Sequence, residues 1–271
     1  MLNCKKLGVI GAGKMGRALI VGALQSGLLA PTQILLSRRR LAALEPIQQQ
    51  YGVEITTDNT LLLAQCDLIL IAVKPQNFDE LWAETQEHFN SNHLVISVAA
   101  GVTTQSIEGS LGLELEVARA MPNTPALIGR GMSAFCLGRH AGTALAEQCV
   151  QLFSTVGKVV QVEEILMDAV TAVSGSGPAY LFLMAEAMQS GAEKLGLSRE
   201  MSETLVQQTL LGAATLLAES ADSAATLRQN VTSPGGTTAA ALEVLSGGQF
   251  ERLMESALVA ARDRASELGK D

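Results

Sequence analysis

Aromatic and histidine side chains are scarce in this sequence. Their scarcity limits which residues can build the hydrophobic core and which metal sites the chain can form. Aromatic residues make up only 3% of the 271 residues, so the core must be built from Ala, Leu, Val and Met. The three histidines are His88, His93 and His140, and they form neither an i,i+4 pair nor a ligand cluster. We therefore predict that no zinc or other metal is bound.

Cysteine is also scarce, and its spacing argues against a disulfide framework. The four cysteines are Cys4, Cys66, Cys136 and Cys149, and no two have the C-x-x-C spacing. In a chain of this length they are expected to be reduced, buried thiols, which is typical of cytoplasmic proteins. We therefore expect a cytoplasmic location.

Long apolar runs are missing as well. No stretch approaches the roughly 18 uninterrupted apolar residues that a membrane span needs. The apolar run after Lys5 and Lys6 covers only residues 7–10 before a glycine turn, so it does not have the pattern of a signal peptide. No membrane partner is expected.

Charged residues are few, at 17%, and 27 acidic against 19 basic residues give a net charge of −8. This balance argues against a surface that binds nucleic acid or an anionic membrane as a whole. The run Arg38-Arg39-Arg40 is a local exception. Apolar residues make up 48%, which excludes disorder, and 271 residues suffice for two domains.

Short apolar runs alternate with helical patterns up to about residue 162. Strand composition is found at residues 6–10, 33–37, 67–73, 94–98, 116–120, 132–137 and 159–162, and amphipathic helical spacing at residues 14–26, 41–50 and 78–88. This alternation predicts right-handed βαβ units and a parallel sheet. The expected fold class is α/β, with an N-terminal Rossmann-type, doubly wound domain over residues 1–164.

Helical patterns alone fill the rest of the chain, so an all-helical domain is expected over residues 165–271. Pro178 suits the first turn of one helix, Ser198 can cap the next, and the last helix covers residues 250–268.

Two stretches of this helical part, residues 169–185 and 204–218, contain no charged residue. A helix that is apolar nearly all round must be buried. A domain of about a hundred residues can hardly bury two such helices alone, so we expect them to form an extensive homodimer interface.

A glycine motif directly follows the first predicted strand. It reads Gly11-Ala12-Gly13-Lys14-Met15-Gly16, the pattern G-x-G-x-x-G, and opens the first predicted helix. The first glycine permits a tight turn, the second lets the backbone approach a pyrophosphate, and the third allows close helix–strand packing. Together with the N–H groups of the helix N-terminus, the motif predicts a dinucleotide site.

The end of the second predicted strand indicates which dinucleotide binds. NAD enzymes usually place Asp or Glu about 20 residues after the motif, where it binds the ribose 2′-hydroxyl. Here the region reads Ser37-Arg38-Arg39-Arg40, without a carboxylate. A hydroxyl and guanidinium groups suit a 2′-phosphate, so we predict NADPH, with NADH less favoured. The alternative is a solvated charge run at the start of a helix.

Two further strand-end loops, at residues 72–75 and 98–101, are built largely from small residues. Ligands bind at the carboxyl ends of strands in an open parallel sheet, so both loops are expected to border the cofactor. Ordinary turns are the alternative.

Several separated motifs resemble those of a known family. They are Ala72-Val73-Lys74-Pro75, Ala99-Ala100-Gly101-Val102, Met121-Pro122-Asn123-Thr124-Pro125, Asp168-Ala169-Val170-Thr171, residues 174–180 and, most specifically, Asn230-Val231-Thr232-Ser233-Pro234-Gly235-Gly236-Thr237-Thr238. With the N-terminal glycine motif, they give the chain a resemblance to pyrroline-5-carboxylate reductase along essentially its whole length.

This resemblance implies NADPH-dependent reduction of 1-pyrroline-5-carboxylate to L-proline, the last step of proline biosynthesis. It also implies a homodimer built by the helical domain, which in some members assembles into a homodecamer. With Arg38 and Arg39 from the argument above, the candidate cofactor contacts are Ile10, Gly11, Ala12, Gly13, Lys14, Met15, Ser37, Arg38, Arg39, Asn59, Ala72, Val73, Lys74, Pro75, Val98, Ala99 and Ala100. Asn230, Thr237 and Thr238 match positions of the family's substrate loop.

The chemistry of the substrate loop agrees with that activity. A protonated cyclic imine accepts hydride without an elaborate acid–base relay, so the missing catalytic histidine is expected. The N–H groups of Gly236, Thr237 and Thr238 at a helix N-terminus suit a substrate carboxylate. The Thr238 hydroxyl can hydrogen-bond the ring nitrogen, which makes Thr238 the candidate catalytic residue. A plain N-capped turn is the alternative.

Two other functions are disfavoured by particular residues. A β-hydroxyacid dehydrogenase needs a lysine a few residues after the glycines that open its helical domain. Here Gly175-Ser176-Gly177 is followed by residues 178–183 without a lysine, and the next lysine is Lys194. A non-catalytic NADP-binding protein is expected to have a damaged second loop, whereas the loop at residues 233–238 is intact.

Overall fold

The computed structural model describes Leu2 and residues 4–269, which divide into two units. The first unit consists of the chain up to Ser176 together with the stretch from Ala260 onward. The second unit is Gly177–Val259. The described part of the chain contains no helix that is both long and apolar enough to cross a bilayer.

The first unit is built on one eight-stranded sheet with the order β3-β2-β1-β4-β5-β6-β7-β8. The strands are β1 (Leu7–Ile10), β2 (Ile34–Ser37), β3 (Glu54–Thr56), β4 (Leu68–Ile71), β5 (Leu94–Ser97), β6 (Glu116–Pro122), β7 (Gly131–Leu137) and β8 (Gly157–Gln161). The chain order reverses beside β1, which neighbours both β2 and β4. This is the topological switch point at which ligands bind in doubly wound sheets.

Helices cover both faces of that sheet and make up the whole second unit. The helices of the first unit are α1 (Lys14–Gln25), α2 (Glu45–Tyr51), α3 (Asn59–Gln65), α4 (Phe78–Thr85), α5 (Thr104–Leu111), α6 (Thr143–Ser154) and α7 (Met167–Val170). The second unit contains α8 (Gly177–Lys194), α9 (Arg199–Glu219), α10 (Ala224–Asn230), α11 (Thr237–Gly247) and the first half of α12 (Phe250–Leu268).

The core lies on both sides of the sheet. Every residue of β1, β2 and β4 is buried, as expected for strands that are covered on both faces. One face packs against α1, α2 and α6, with Leu19 and Phe153 fully buried. The other face packs against α3, α4 and α5, with Leu62 and Ile107 fully buried. The sheet therefore forms a rigid platform whose strand ends carry the candidate site.

The strands that alternate with predicted helices are parallel, as expected, whereas one pair among the later strands is not. The strands β6 and β7 are antiparallel, whereas the other six strand pairs are parallel. The connection between β6 and β7 is a single short 3₁₀ helix, Thr124–Ile128. A parallel crossover needs a dozen or more residues, so this connection only permits the chain to turn back.

One helix predicted at residues 41–50 is divided in the structure. Residues Leu41–Ala43 form a 3₁₀ turn, and the α-helix begins only at Glu45. Pro46 explains the division, because proline has no N–H to donate within a helix and is tolerated only in the first turn.

Large apolar side chains are exposed along the helices of the second unit. In the described chain, α8 and α11 contain no buried residue, and α9 buries only Ser202 and Val206. Phe182 is 63% exposed and Leu211 is 62% exposed. An apolar surface of this extent marks an interaction site.

Candidate active site

The first and third motif glycines have the steric surroundings that the sequence analysis expected, and the second leaves open space where the pyrophosphate is predicted to bind. Gly11 has φ +79°, and a Cβ atom there would lie 2.5 Å from Cγ1 of Val73, so only glycine fits this turn. A Cβ on Gly13 would meet nothing closer than the Gly11 carbonyl oxygen at 3.7 Å, which leaves space above the backbone. A Cβ on Gly16 would lie 3.2 Å from Val9 Cγ1, so this glycine lets α1 pack closely on the sheet.

The N-terminus of α1 is built to receive an anion. Gly13 is its N-cap, and within the described residues neither a side-chain cap nor an acidic side chain occupies its first turn. The N–H groups of Gly11 and Ala12 instead donate to the Ser37 carbonyl oxygen, at 3.0 and 3.1 Å. The turn is thereby fixed to the end of β2, and the first-turn N–H groups of α1 remain for a phosphate.

A cavity of about 380 Å³ opens beside this turn, at the carboxyl ends of β1, β2 and β4. It brings together ten of the predicted cofactor contacts: Ile10, Gly11, Gly13, Ser37, Arg38, Arg39, Asn59, Ala72, Val73 and Lys74. Its size and its polar and cationic lining fit a nucleotide. Arg40 completes the basic wall of the cavity.

The other seven predicted contacts lie outside the lining of this cavity: Ala12, Lys14, Met15, Pro75, Val98, Ala99 and Ala100. Ala12 and Ala99 are buried, and Met15 packs against the core. Lys14 lines a second cavity, of about 610 Å³, beside the 3₁₀ helix Thr124–Ile128. The assignment of these seven residues to the cofactor remains a prediction.

Hydrogen bonds connect the basic end of the cavity to α4. The Ser37 hydroxyl donates to Oδ1 of Asn59, and Nδ2 of Asn59 donates to Oε2 of Glu84 at 2.9 Å. The Arg39 guanidinium forms an ion pair with Glu80. Both glutamates line the cavity, one helical turn apart.

The sequence analysis missed five lining residues: Thr57, Asn77, Glu80, Leu81 and Glu84. The i,i+4 spacing of Glu80 and Glu84 was visible, but it shows only that both lie on one helix face. Which strand end that face meets is decided by the packing of Leu81 and Trp82 into the core.

The substrate-loop candidates lie together in the second unit, between α10 and α11. Asn230 ends α10, and Thr237 and Thr238 begin α11 behind the N-cap Gly236. Gly235 has φ +68°, a conformation that favours glycine. A Cβ on Gly236 would collide with the Ser233 hydroxyl. The turn therefore favours glycine at position 235 through its backbone, whereas at position 236 a side chain would displace the Ser233 hydroxyl.

One detail of the predicted anion grip is wrong. The N–H of Gly236 donates to the Ser233 carbonyl oxygen at 3.0 Å, because the turn before α11 closes on itself. The N–H groups of Thr237 and Thr238 are thus the ones left for a carboxylate at this helix N-terminus. The Thr238 hydroxyl makes no hydrogen bond within residues 4–269, so it can serve a ligand.

A buried arginine fixes the loop that follows β5. Arg119 lies 3.6 Å from Glu164 and 3.3 Å from Asp168. The Glu164 carboxylate also accepts hydrogen bonds from the N–H and hydroxyl of Thr104, at 2.8 and 2.5 Å. Thr104 is the first residue of α5 and follows the last residue of the predicted cofactor loop, residues 98–101, by three positions. The network therefore holds that loop in place.

None of the described residues that line the cavity is a cysteine or a histidine, and the carboxylates of Glu80 and Glu84 are engaged by Arg39 and Asn59. Burial raises the pKa of the Cys66, Cys136 and Cys149 thiols to about 12, so they are not thiolates at neutral pH. The Cys4 pKa is raised to about 11 for the same reason. His93 is buried and hydrogen-bonded to the Leu63 carbonyl oxygen at 3.0 Å, which is a structural role. This arrangement suits a reaction that needs positioning rather than proton relay.

Two family models match the chain. Residues 164–268 match a model described as pyrroline-5-carboxylate reductase dimerisation. Residues 6–101 match a model described as NADP oxidoreductase, coenzyme F420-dependent. The first match covers the helical stretch with the substrate-loop candidates, and the second covers strands β1–β5 with the glycine turn.

Individual proteins match over nearly the full length. A pyrroline-5-carboxylate reductase from Methanosarcina acetivorans is 38% identical over 266 residues, which is 98% of each chain. The structure of such a reductase from Coxiella burnetii has a TM-score of 0.92 and 39% identity, covering 99% of this chain and 100% of that one. The Plasmodium falciparum enzyme, solved with NADP bound, has a TM-score of 0.88 and 30% identity, covering 99% of each chain.

Proposed function

This chain belongs to the pyrroline-5-carboxylate reductase family, and we propose that it reduces 1-pyrroline-5-carboxylate to L-proline with NADPH, each unit contributing a different part of the machinery. The observation that carries the proposal is the full-length match to these reductases in a chain that keeps both the glycine turn and the loop before α11 intact. The first unit binds the cofactor and the second grips the substrate.

The cavity of the first unit fits NADPH, which supplies the hydride when it is bound. The first-turn N–H groups of α1 bind the pyrophosphate. Arg38 and Arg39 bind the 2′-phosphate with charge-assisted hydrogen bonds, and Ser37, whose hydroxyl donates to Asn59, borders the same end of the cavity. The loops at residues 72–75 and 98–100 border the nicotinamide end. No residue of the chain needs to donate the hydride or to form a covalent intermediate.

The loop before α11 binds and orients the substrate. The N–H groups of Thr237 and Thr238 bind the carboxylate, with Asn230 at the end of α10 as a further contact. The Thr238 hydroxyl hydrogen-bonds the ring nitrogen, which is positively charged in the protonated imine and becomes a neutral amine when the carbon accepts hydride. The contribution of the chain is therefore mainly orientation of the reacting carbon.

The exposed apolar side chains of α8, α9 and α11 support a homodimer formed through the helical domain, with its boundary after residue 164 as the family match suggests. Further assembly of dimers into a decamer is part of the same proposal. The four free cysteines are the state expected in a reducing compartment, which supports a cytoplasmic location.

Steady-state kinetics of the purified protein test the proposal directly. NADPH oxidation should require 1-pyrroline-5-carboxylate, and proline should form in equal amount. A protein that binds NADPH but gives no turnover would support the non-catalytic alternative. Oxidation of a β-hydroxy acid with NADP would support the dehydrogenase alternative, although residues 178–183 lack the lysine that such an enzyme needs.

A further inference from the structure

Two carboxylates occupy two of the hydrogen-bond donors at the predicted 2′-phosphate end of the cavity. Glu80 forms an ion pair with Arg39, and Glu84 accepts a hydrogen bond from Asn59 at 2.9 Å. Both glutamates line the same cavity as Ser37 and Arg38. A site dedicated to a phosphate is expected to present its guanidinium groups without competing carboxylates.

The hydrogen-bond directions at Ser37 add to this competition. The Ser37 hydroxyl is spent on Oδ1 of Asn59, whose amide is in turn oriented by Glu84. Because its hydrogen is donated to Asn59, the Ser37 oxygen can only accept a hydrogen bond. A ribose hydroxyl can donate to it, whereas an ionised phosphate oxygen has no hydrogen to donate. The arrangement thus suits the ribose 2′-hydroxyl of NADH at least as well as the 2′-phosphate of NADPH.

We propose that Glu80 and Glu84 are cofactor-discriminating residues that lower the preference of this enzyme for NADPH. Glu80 competes with the 2′-phosphate for Arg39 and repels its negative charge. Glu84 acts through Asn59 as a positioning residue that holds the Ser37 hydroxyl away from the phosphate. NADH meets neither obstacle. The proposal rests on the proposed function, because it assigns the basic end of the cavity to the adenosine ribose.

The expected size of the effect on NADPH affinity follows from the solvent exposure of the Arg39–Glu80 ion pair. The Arg39 and Glu80 side chains are both 68% exposed, so their ion pair is weak and a phosphate can displace it. Glu80→Gln releases Arg39 and also removes the repulsion between the Glu80 carboxylate and the 2′-phosphate. Together, these two effects should tighten NADPH binding by about three- to tenfold. NADH carries no 2′ charge, so its binding should change by less than about twofold.

Equilibrium binding to the full-length protein tests this without relying on turnover. Dissociation constants for NADPH and NADH are measured by titration calorimetry for the wild type and for E80Q, E84Q and E80Q/E84Q. The expected result is a rise in the NADPH-to-NADH affinity ratio for each variant, largest for the double variant. For E80Q the rise should shrink at 0.5 M salt, where screening acts over roughly 4 Å.

Glu87→Gln is the matched control, because Glu87 is exposed just beyond α4 and lies outside the cavity lining. An equal rise in the ratio for E87Q would overturn the proposal, since net charge alone would then explain it. An unchanged ratio in E80Q would overturn it too. So would a parallel loss of NADH binding, which would make Glu80 a ribose ligand.

Glu80 can act in two ways, by holding Arg39 or by repelling the 2′-phosphate directly. Measuring the effect of E80Q in a protein that also carries Arg39→Ala separates them. If Glu80 works by holding Arg39, the gain from E80Q should largely vanish in R39A. A gain that persists in full would overturn the competition for Arg39. Failure of the proposed function is a different result, namely no reduction of 1-pyrroline-5-carboxylate by the wild type with either cofactor.

Discussion

The buried guanidinium of Arg119, on β6, lies 3.3 Å from the Asp168 carboxylate of α7. Only 5% of the Arg119 side chain is exposed, against 31% for Asp168 and 29% for the second partner, Glu164. The two sides of this network therefore differ in what their loss costs. A carboxylate without its partner can still be solvated, whereas the guanidinium cannot.

This asymmetry predicts that removing the two carboxylates costs more stability than removing the arginine. Removing both charges with Glu164→Gln and Asp168→Asn should cost about 3 kcal/mol of unfolding free energy, because a buried charge is left unpaired. Arg119→Met should cost about 1 kcal/mol or less, since an apolar chain of similar length fills the same space. Chemical denaturation measures both. Equal losses would show that the pairing itself, rather than burial of the arginine, sets the cost.

Gly11→Ala and Gly13→Ala should separate folding from cofactor binding. At Gly11, φ of +79° and the 2.5 Å approach to Val73 make any side chain strained, so Gly11→Ala should lower the melting temperature. Gly13 has φ −79° and ψ −157°, an extended conformation with negative φ that does not require glycine, and a Cβ there meets no atom closer than 3.7 Å.

Gly13→Ala should therefore melt like the wild type yet bind NADPH at least about tenfold more weakly, because its methyl group occupies the space meant for the pyrophosphate. Thermal melts check the predicted melting temperature, and calorimetric titration of the same samples checks the predicted loss of NADPH affinity. Full NADPH affinity in Gly13→Ala would move the pyrophosphate away from this turn.

The sequence predicts most of this fold because its signals are local. Ser198 caps α9 by accepting from the N–H of Met201, as its position before the helix predicted. The short helix α3 was missed although its signal was present: Asp58 caps it by accepting from the N–H groups of Thr60 and Leu61. The seven residues of α3 make only about two helical turns, which is too short for its apolar residues to show a clear 3.6-residue repeat.

The rest of the site depends on contacts that sequence spacing does not encode. Glu80 lies 41 residues after Arg39 in the chain. The two side chains meet only because of the way α4 packs against the sheet. That the N–H of Gly236 is taken by Ser233 follows from the dihedral angles of the turn. Both changed the chemistry expected of the site without changing the fold.

Phe182→Asp and Leu211→Asp should break the homodimer proposed above. Both side chains are more than 60% exposed in the single chain, so the substitutions should disturb its folding little. A carboxylate buried in an apolar interface is costly, and subunits should dissociate with loss of activity. Sedimentation velocity at micromolar concentration measures this. Leu113→Asp, at an exposed site of the first unit, is the control that should stay assembled.

His93 should make the protein less stable below neutral pH. Burial lowers the pKa of His93 beneath its ordinary value of 6.5, and both ring nitrogens have partners in the neutral form: Nδ1 accepts from the Asn90 N–H, and Nε2 donates to the Leu63 carbonyl oxygen. As pH falls through about 6.5, the unfolded chain takes up a proton that the folded chain does not. The unfolding free energy should therefore decrease on acidification, and this part of the slope should disappear in His93→Gln. An unchanged slope in that variant would assign the effect to other groups.

Thr238 provides the most direct test of the mechanism. If its hydroxyl hydrogen-bonds the substrate nitrogen, Thr238→Ala should lower kcat/KM by roughly 10- to 100-fold, the value of about 1.5–3 kcal/mol for one hydrogen bond to a group whose charge changes. NADPH affinity should stay nearly the same. Activity should survive, because the N–H groups of Thr237 and Thr238 still bind the carboxylate.

Two further variants decide whether that loss is chemical or structural. Thr238→Ser restores the hydroxyl and should recover most of the rate, with slightly more rotamer freedom than threonine. Thr237→Ala keeps the backbone N–H at the same helix N-terminus and should change little, since the proposed mechanism gives the contact with the nitrogen to the hydroxyl of Thr238 alone. If Thr238→Ala leaves kcat/KM unaltered in a folded dimer, the hydroxyl has no part in the reaction. Orientation of the imine must then come from the backbone of this turn alone.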